Sequence, residues 1–188
     1  MAGKEKARCQ WVPKDNTLYE RYHDAEWGRP VRDDRIFFEF LLLESAQAGL
    51  SWETILKRRE GYRQAFANFD PEKVSRFGAH EKARLIQDPG IIRHRLKIES
   101  AISNARIFLS IQKEFGTFSK YVWSFVNGKT KYRTGRQISV TSPEAEALSA
   151  NLRRRGIKFF GPTIAYAFMQ ATGLVNDHEP ACFRYHKK

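Results

Sequence analysis

Four side chains offer the donor set of a closed metal site. His178 and Cys182 stand at i and i+4, a spacing that one helical turn would bring to one face, and Cys9 and His23 lie near the other end of the chain. Zinc takes four ligands of this kind, thiolate sulfur and imidazole nitrogen, in tetrahedral structural sites. A site drawn from both ends would staple the chain into a closed body and leave no open position for water. The spacing alone is equally compatible with two buried free thiols and packing histidines. His80 lies in a charged surface helix, His94 in a basic run and His186 in a lysine-rich tail, which makes them poorer ligands.

A second group of residues suits the recognition of a flat cation. Glu44 closes the apolar run Phe37-Phe38-Glu39-Phe40-Leu41-Leu42-Leu43-Glu44, where an ionised carboxylate is costly unless it has a partner or a task. Gln47, Gly49, Leu50 and Trp52 follow at once, and Trp11, Tyr19, Tyr22 and Trp27 supply further aromatic faces. The alternative is a Glu44 that faces solvent beside aromatics that form core. Near the C-terminus, Gly156-Ile157-Lys158-Phe159-Phe160-Gly161-Pro162 separates two helical segments. A short glycine-bounded turn with Arg155 and Lys158 on its approach resembles a helix-hairpin-helix motif, whose second helix presents backbone N–H groups to a phosphate. An ordinary helical hairpin has the same pattern.

The elements that must position these groups read as helices. Asp33-Asp34 starts one that runs towards Gly49, and Ser51 caps the next, through Trp52, Ile55, Leu56, Tyr62 and Phe66. Asp70-Pro71 and Ser142-Pro143 are further starts, with proline at the first helical position. From Arg95 to Phe115, Ile98, Ile102, Ala105 and Leu109 form an apolar stripe. The segment Lys131 to Thr141 reads as an extended, exposed excursion, and Asp88-Pro89-Gly90-Ile91-Ile92 as a connection between helices. The expected class is all-α. With 188 residues and no repeat or linker, residues 1–188 are expected to form one domain, residues 1–8 being a flexible basic extension.

Lysine and arginine number 33 against 21 acidic residues, a formal charge of +12 that draws polyanions, nucleic acid first. The clusters Lys57-Arg58-Arg59, Arg93 to Lys97 and Arg153-Arg154-Arg155 are expected beside turns or helix ends. No apolar stretch reaches the roughly 20 residues of a membrane-spanning helix, and the charged start does not read as a signal peptide. A cytoplasmic, monomeric protein is the expectation.

Read together, Arg8-Cys9-Gln10-Trp11-Val12, Tyr22-His23-Asp24-Ala25-Glu26-Trp27-Gly28, Leu43 to Trp52, Gly90 to Arg95, Trp123 to Gly128, Gly156 to Gly161 and Gly173 to His178 resemble the bacterial 3-methyladenine DNA glycosylase I family, among the helix-hairpin-helix glycosylases. The resemblance spans nearly the whole chain. It implies a monofunctional N-glycosyl hydrolase that flips 3-methyladenine out of alkylated duplex DNA and releases it without strand cleavage. It implies one structural zinc on Cys9, His23, His178 and Cys182, and base recognition by Glu44 within Trp52, Tyr22, Trp11 and Tyr19. It implies DNA contacts at Gly49, Leu50, Arg155, Lys158 and Gly161, with Leu50 as the wedge that fills the gap in the base stack. Ser45-Ala46 stands where some relatives carry Gly-Gln, a departure at the pocket floor. Asp177, after the second hairpin helix, is the alternative catalytic carboxylate. The rival reading is a zinc-stapled DNA-binding module without catalysis, which would need no carboxylate in an aromatic box.

If the charge surplus serves DNA binding, affinity falls steeply with added salt, and Lys158→Ala or Arg155→Ala weakens binding alike across sequences. Titrations at several salt concentrations check this; a salt-independent affinity would make the surplus a solubility feature only.

Overall fold

A computed structural model describes residues 6–132 and 139–185. Among the described residues the architecture is helical, with one two-stranded ladder. The helices are α1 (Thr17–Ala25), α2 (Asp34–Gln47), α3 (Trp52–Ala65), α4 (Pro71–Ser75), α5 (Ala79–Gln87), α6 (Arg95–Phe115), α7 (Phe118–Ser124), α8 (Pro143–Arg154) and α9 (Pro162–Ala171). The strands β1 (Lys131–Tyr132) and β2 (Val175–Asn176) pair in parallel.

The caps follow the sequence. Asp33 Oδ1 accepts from the backbone N–H groups of Arg35 and Ile36, Ser51 Oγ from Thr54, and Ser142 Oγ from Ala145. The neighbouring Asp34 reaches across the fold. Its carboxylate accepts from Gln112 on α6 and from the free N–H groups of Phe118 and Ser119, tying the start of α2 to the start of α7.

Helix α2 is the centre of the molecule. Every residue from Phe37 to Ala46 is buried, so the helix is covered on all sides, as expected of one that is apolar around its circumference. Phe38 packs on Phe108 of α6 at 5.2 Å between ring centres, and Phe37 lies against Phe118 of α7 and Phe168 of α9. Phe108 and Phe118 stack at 4.1 Å. The stripe on α6 is turned from the expected one: Ile98, Ala101, Ile102, Ala105, Phe108 and Ile111 are buried, and Leu109 is only half-buried. The i+3 branch of the helical repeat carries the seam here, because Phe108 fills the space against α2 and α7.

Helices α8 and α9 form the hairpin. Asn104 of α6 clamps its turn, donating to the Lys158 carbonyl at 3.1 Å and accepting from the Lys158 N–H at 2.9 Å. Ser149 Oγ donates to the Phe160 carbonyl. After α9 the chain turns at Gly173, in the left-handed region (φ +70°), where a Cβ would overlap the Arg29 carbonyl. The β1–β2 ladder then fixes the direction in which Asp177 and His178 leave the body.

Two expectations are corrected. Lys57-Arg58-Arg59 lies inside α3 rather than at its end, since the apolar residues on either side continue the same helix. Lys131 and Tyr132 are extended and exposed as expected, but they pair with the segment leading to His178; residues 133–138 of that excursion lie outside the described residues.

Candidate functional site

Cys9, His23, His178 and Cys182 converge. All four are buried, and their ligand atoms lie within 4.8 Å of one another. The Cys9 sulfur is 3.5 Å from His178 Nδ1, and the Cys182 sulfur is 3.5 Å from that nitrogen and 3.4 Å from His23 Nε2. A tetrahedral ion with ordinary zinc–sulfur and zinc–nitrogen bonds needs a sulfur–nitrogen edge of about 3.6 Å. The donor set therefore fits a tetrahedral metal. Residues 178–182 reach this geometry through turns rather than the expected helical turn.

The surroundings aim the ligands. His23 Nδ1 lies 2.8 Å from Asp24 Oδ1, and Arg8 grips the Asp24 carboxylate with two bonds of 3.0 and 2.9 Å. Arg8 is thus anchored, although it was expected to close a flexible extension. His178 Nε2 faces the Trp27 carbonyl at 3.2 Å. These outer contacts leave Nε2 of His23 and Nδ1 of His178 as the donors. Backbone N–H groups of Glu179 and Arg184 point at the Cys9 and Cys182 sulfurs. Burial pulls His178 down to about 4, which keeps it neutral, and pushes the Cys9 thiol up to about 12. A divalent cation would reverse that burden on the thiol.

The cluster also builds a cavity of about 330 Å³ beside it. Trp11 follows Cys9 by two positions, Tyr22 precedes His23, and Asp177 and Glu179 flank His178; all four line this cavity. Trp27 lies 4.7 Å from His178, ring centre to ring centre, and 4.9 Å from Trp11. Trp52, the first residue of α3, faces Tyr22 at 5.4 Å, and Tyr19 lies 6.0 Å from Trp11. The aromatic residues expected around Glu44 are therefore brought together.

Glu44 forms the polar floor. It is 2 % exposed, on the last turn of α2, and its Oε2 is buried with no hydrogen-bond partner. Burial pushes its carboxyl up to about 8, which favours the protonated form. Trp11 Nε1 and Trp52 Nε1 are also buried and unpartnered. Burial, reinforced by the nearby Glu44, keeps the Tyr22 phenol protonated. The pocket thus presents a proton-holding carboxyl and two indole donors among stacking faces, with Gln47 and Gln170 at its wall.

Asp177 enters the same cavity, but its Oδ2 already accepts from the Tyr166 hydroxyl at 2.6 Å and Gln170 Nε2 at 2.8 Å. Beyond the pocket, Gly49 takes φ +81°, a conformation that favours glycine, and Leu50 is 40 % exposed. Gly161 caps α9 without a side chain, and nothing stands within 4 Å of where its Cβ would be. Arg155 is paired at the surface with Glu114 at 2.6 and 2.9 Å and lies over Tyr121 and Phe115. Its truncation therefore removes a structural contact along with a charge.

Sequence reasoning missed Glu39. Its buried carboxylate accepts from Arg59 and Arg63, each at 2.8 Å, and Arg59 also holds Glu26 at 2.7 Å. The network locks α1, α2 and α3, the helices that carry Tyr22, Glu44 and Trp52. The available signal was a second carboxylate in the same apolar run, facing a basic cluster.

Residues 11–185 match the model of the methyladenine glycosylase family. DNA-3-methyladenine glycosylase 1 of Escherichia coli is 49% identical over 181 residues, 95% of this chain and 96% of that protein. DNA-3-methyladenine glycosylase of Haemophilus influenzae is 44% identical over 178 residues, 93% of this chain and 96% of that one. The 3-methyladenine DNA glycosylase I of Staphylococcus aureus, solved for the structural basis of 3-methyladenine recognition, superposes with a TM-score of 0.91 at 39% identity, covering 97% of this chain and 98% of that one. With the fold, the aromatic pocket and this coverage in agreement, the chain belongs to the methyladenine glycosylase family.

Proposed function

We propose that this protein flips 3-methyladenine out of alkylated duplex DNA and hydrolyses its glycosidic bond, acting as a cytoplasmic, single-domain monomer. The observation that carries the reading is Glu44: a buried carboxyl with an unpaired oxygen at the floor of an aromatic box. A purine methylated at N3 and still attached to its sugar is a cation. Its charge favours the Glu44 carboxylate, so the carboxyl releases its proton as the lesion enters. The carboxylate then accepts from the exocyclic amine. Trp52 and Tyr22 stack on the cationic ring, an interaction stronger than that with neutral adenine. Normal bases bring no charge and meet a pocket whose carboxyl stays protonated.

As the bond from C1′ to the base breaks, the electron pair stays with the base and positive charge moves to the sugar. An ionised Glu44 stabilises both the entering cation and this oxocarbenium-like state. Water adds at C1′ and loses a proton, which leaves a base-free sugar. Among the described residues, those lining the cavity include no lysine, which supports hydrolysis without a Schiff base or strand cleavage. Leu50 is suited to hold the gap left in the stack, while Lys158 and the open N-terminus of α9 at Gly161 are suited to the phosphate backbone.

The test is release of bases from alkylated duplex DNA, separated by chromatography. The expected product is 3-methyladenine with the strand intact. Glu44→Gln keeps the shape but loses the ionisable oxygen, and a cationic purine methylated at both N3 and N9 should bind more weakly by about 1.5–3 kcal/mol. Trp52→Ala should cost about 1–3 kcal/mol through lost stacking. Equal binding and release by Glu44→Gln would move the chemistry to Asp177.

We further propose that the Cys9, His23, His178 and Cys182 cluster holds one structural zinc. Four protein ligands close the site, so the ion would supply folding energy, not chemistry. Cys182→Ser should lower both metal content and melting temperature, while the folded fraction keeps its base-release activity. A variant as stable and as metal-loaded as the parent would remove the staple.

A further inference from the structure

Lys97 is placed against two local preferences. It stands in the first turn of α6, where the helix dipole disfavours a cation and no acidic residue offsets it. Its ammonium is also partly withdrawn from water, and burial pulls its pKa down. A side chain held under two such costs needs a strong partner. That partner is backbone: Nζ donates at 2.7 Å to the carbonyl of Ala46 and at 2.7 Å to that of Ala48.

These carbonyls close α2. The last turn of α2 carries no basic residue of its own, since its core-facing run ends in Glu44, Ser45 and Ala46. Lys97 supplies from another helix the cation that a helix C-terminus favours, and it satisfies two carbonyls that α2 leaves free. From Ala48 the chain turns at once through Gly49, Leu50 donates its N–H to the Gln47 carbonyl at 2.6 Å, and Ser51 caps α3. The exposed turn is therefore pinned at one end by the Ser51 cap and at the other by Lys97. Gly49 itself has open space on its side-chain face, so nothing packed there fixes the height of Leu50.

We propose that Lys97 is a positioning residue for base flipping: by holding the Ala48 end of this turn, it sets Leu50 where it can enter the stack vacated by the extruded nucleotide. The inference rests on the glycosylase reading above. It makes a demand that general structural support would not: the effect belongs to duplex DNA, where a gap must be filled, and not to single strands, where there is none.

The experiment is single-turnover release of 3-methyladenine from alkylated duplex and single-stranded DNA, together with calorimetric binding of free 3-methyladenine. Lys97→Met should lower the duplex rate by about tenfold or more, as expected for a misplaced group, and leave the single-strand rate and free-base affinity unchanged. Lys97→Arg, which also reaches two carbonyls, should restore the duplex rate. The double variant Leu50→Ala with Lys97→Met should be no slower on duplex than Leu50→Ala alone, because Lys97 acts through Leu50. Equal losses on both substrates, lost free-base binding, additive effects in the double variant, or an unchanged duplex rate would each overturn the proposal. A parent protein that releases no base from either substrate would instead overturn the glycosylase reading itself.

Discussion

Within ten consecutive buried residues, Phe37 to Ala46, Glu39 is paired with Arg59 and Arg63, whereas Glu44 is carried with an unpartnered oxygen into a place that water does not freely solvate. The energetic consequence is large, because an isolated charge in such surroundings is disfavoured by several kcal/mol. The carboxyl answers by holding its proton, with a pKa pushed from the ordinary 4.5 up to about 8. Since the folded value lies above the unfolded one, ionisation opposes folding. The penalty is absent well below pH 4.5, grows as pH rises between the two values, and is complete above about pH 8. A cation in the pocket removes it. The proposed role of Glu44 would couple recognition of the lesion to relief of that penalty.

The rest of the molecule holds stacking surfaces over that carboxyl. The walls come from distant parts of the chain, and two separate devices bring them together. The cysteine–histidine cluster sets Trp11, Tyr22, Asp177 and Glu179, because each lies within two positions of a ligand. The Glu39–Arg59–Glu26 network sets the relative placement of α1, α2 and α3 from the other side of Tyr22. The long α6 contributes twice, through Asn104 at the hairpin turn and Lys97 at the end of α2. The pocket and the hairpin turn thus hang on contacts with α2 and α6.

Much of this was legible in the sequence. The helix starts at Asp33, Ser51, Asp70 and Ser142 are carried by local capping chemistry and needed no tertiary information. The two cysteines and two histidines of the cluster, and Glu44 with its aromatics, were visible as residue types in unusual company. What could not be read was set by contacts between distant segments. The convergence of residues 178–182 by turns depends on the β1–β2 ladder, and the register of the α6 stripe depends on the volume of Phe108 against its neighbours. The protonation of Glu44 depends on how completely α2 is covered. Arg59 and Arg155 read as free positive charge, yet both are held by carboxylates from other helices.

Burial favours a protonated Glu44, and a cationic base in the pocket would favour its ionisation. The most direct measurement is carbon-13 NMR of the labelled glutamate carboxyls, with the Glu44 signal assigned by its loss in Glu44→Gln. The expected result is a midpoint near 8 in the free protein, and an ionised carboxylate throughout the neutral range once a cationic methylated purine fills the pocket. A Glu44 that titrates in the usual carboxylate range when free, or a midpoint that the cationic base leaves unmoved, would contradict it.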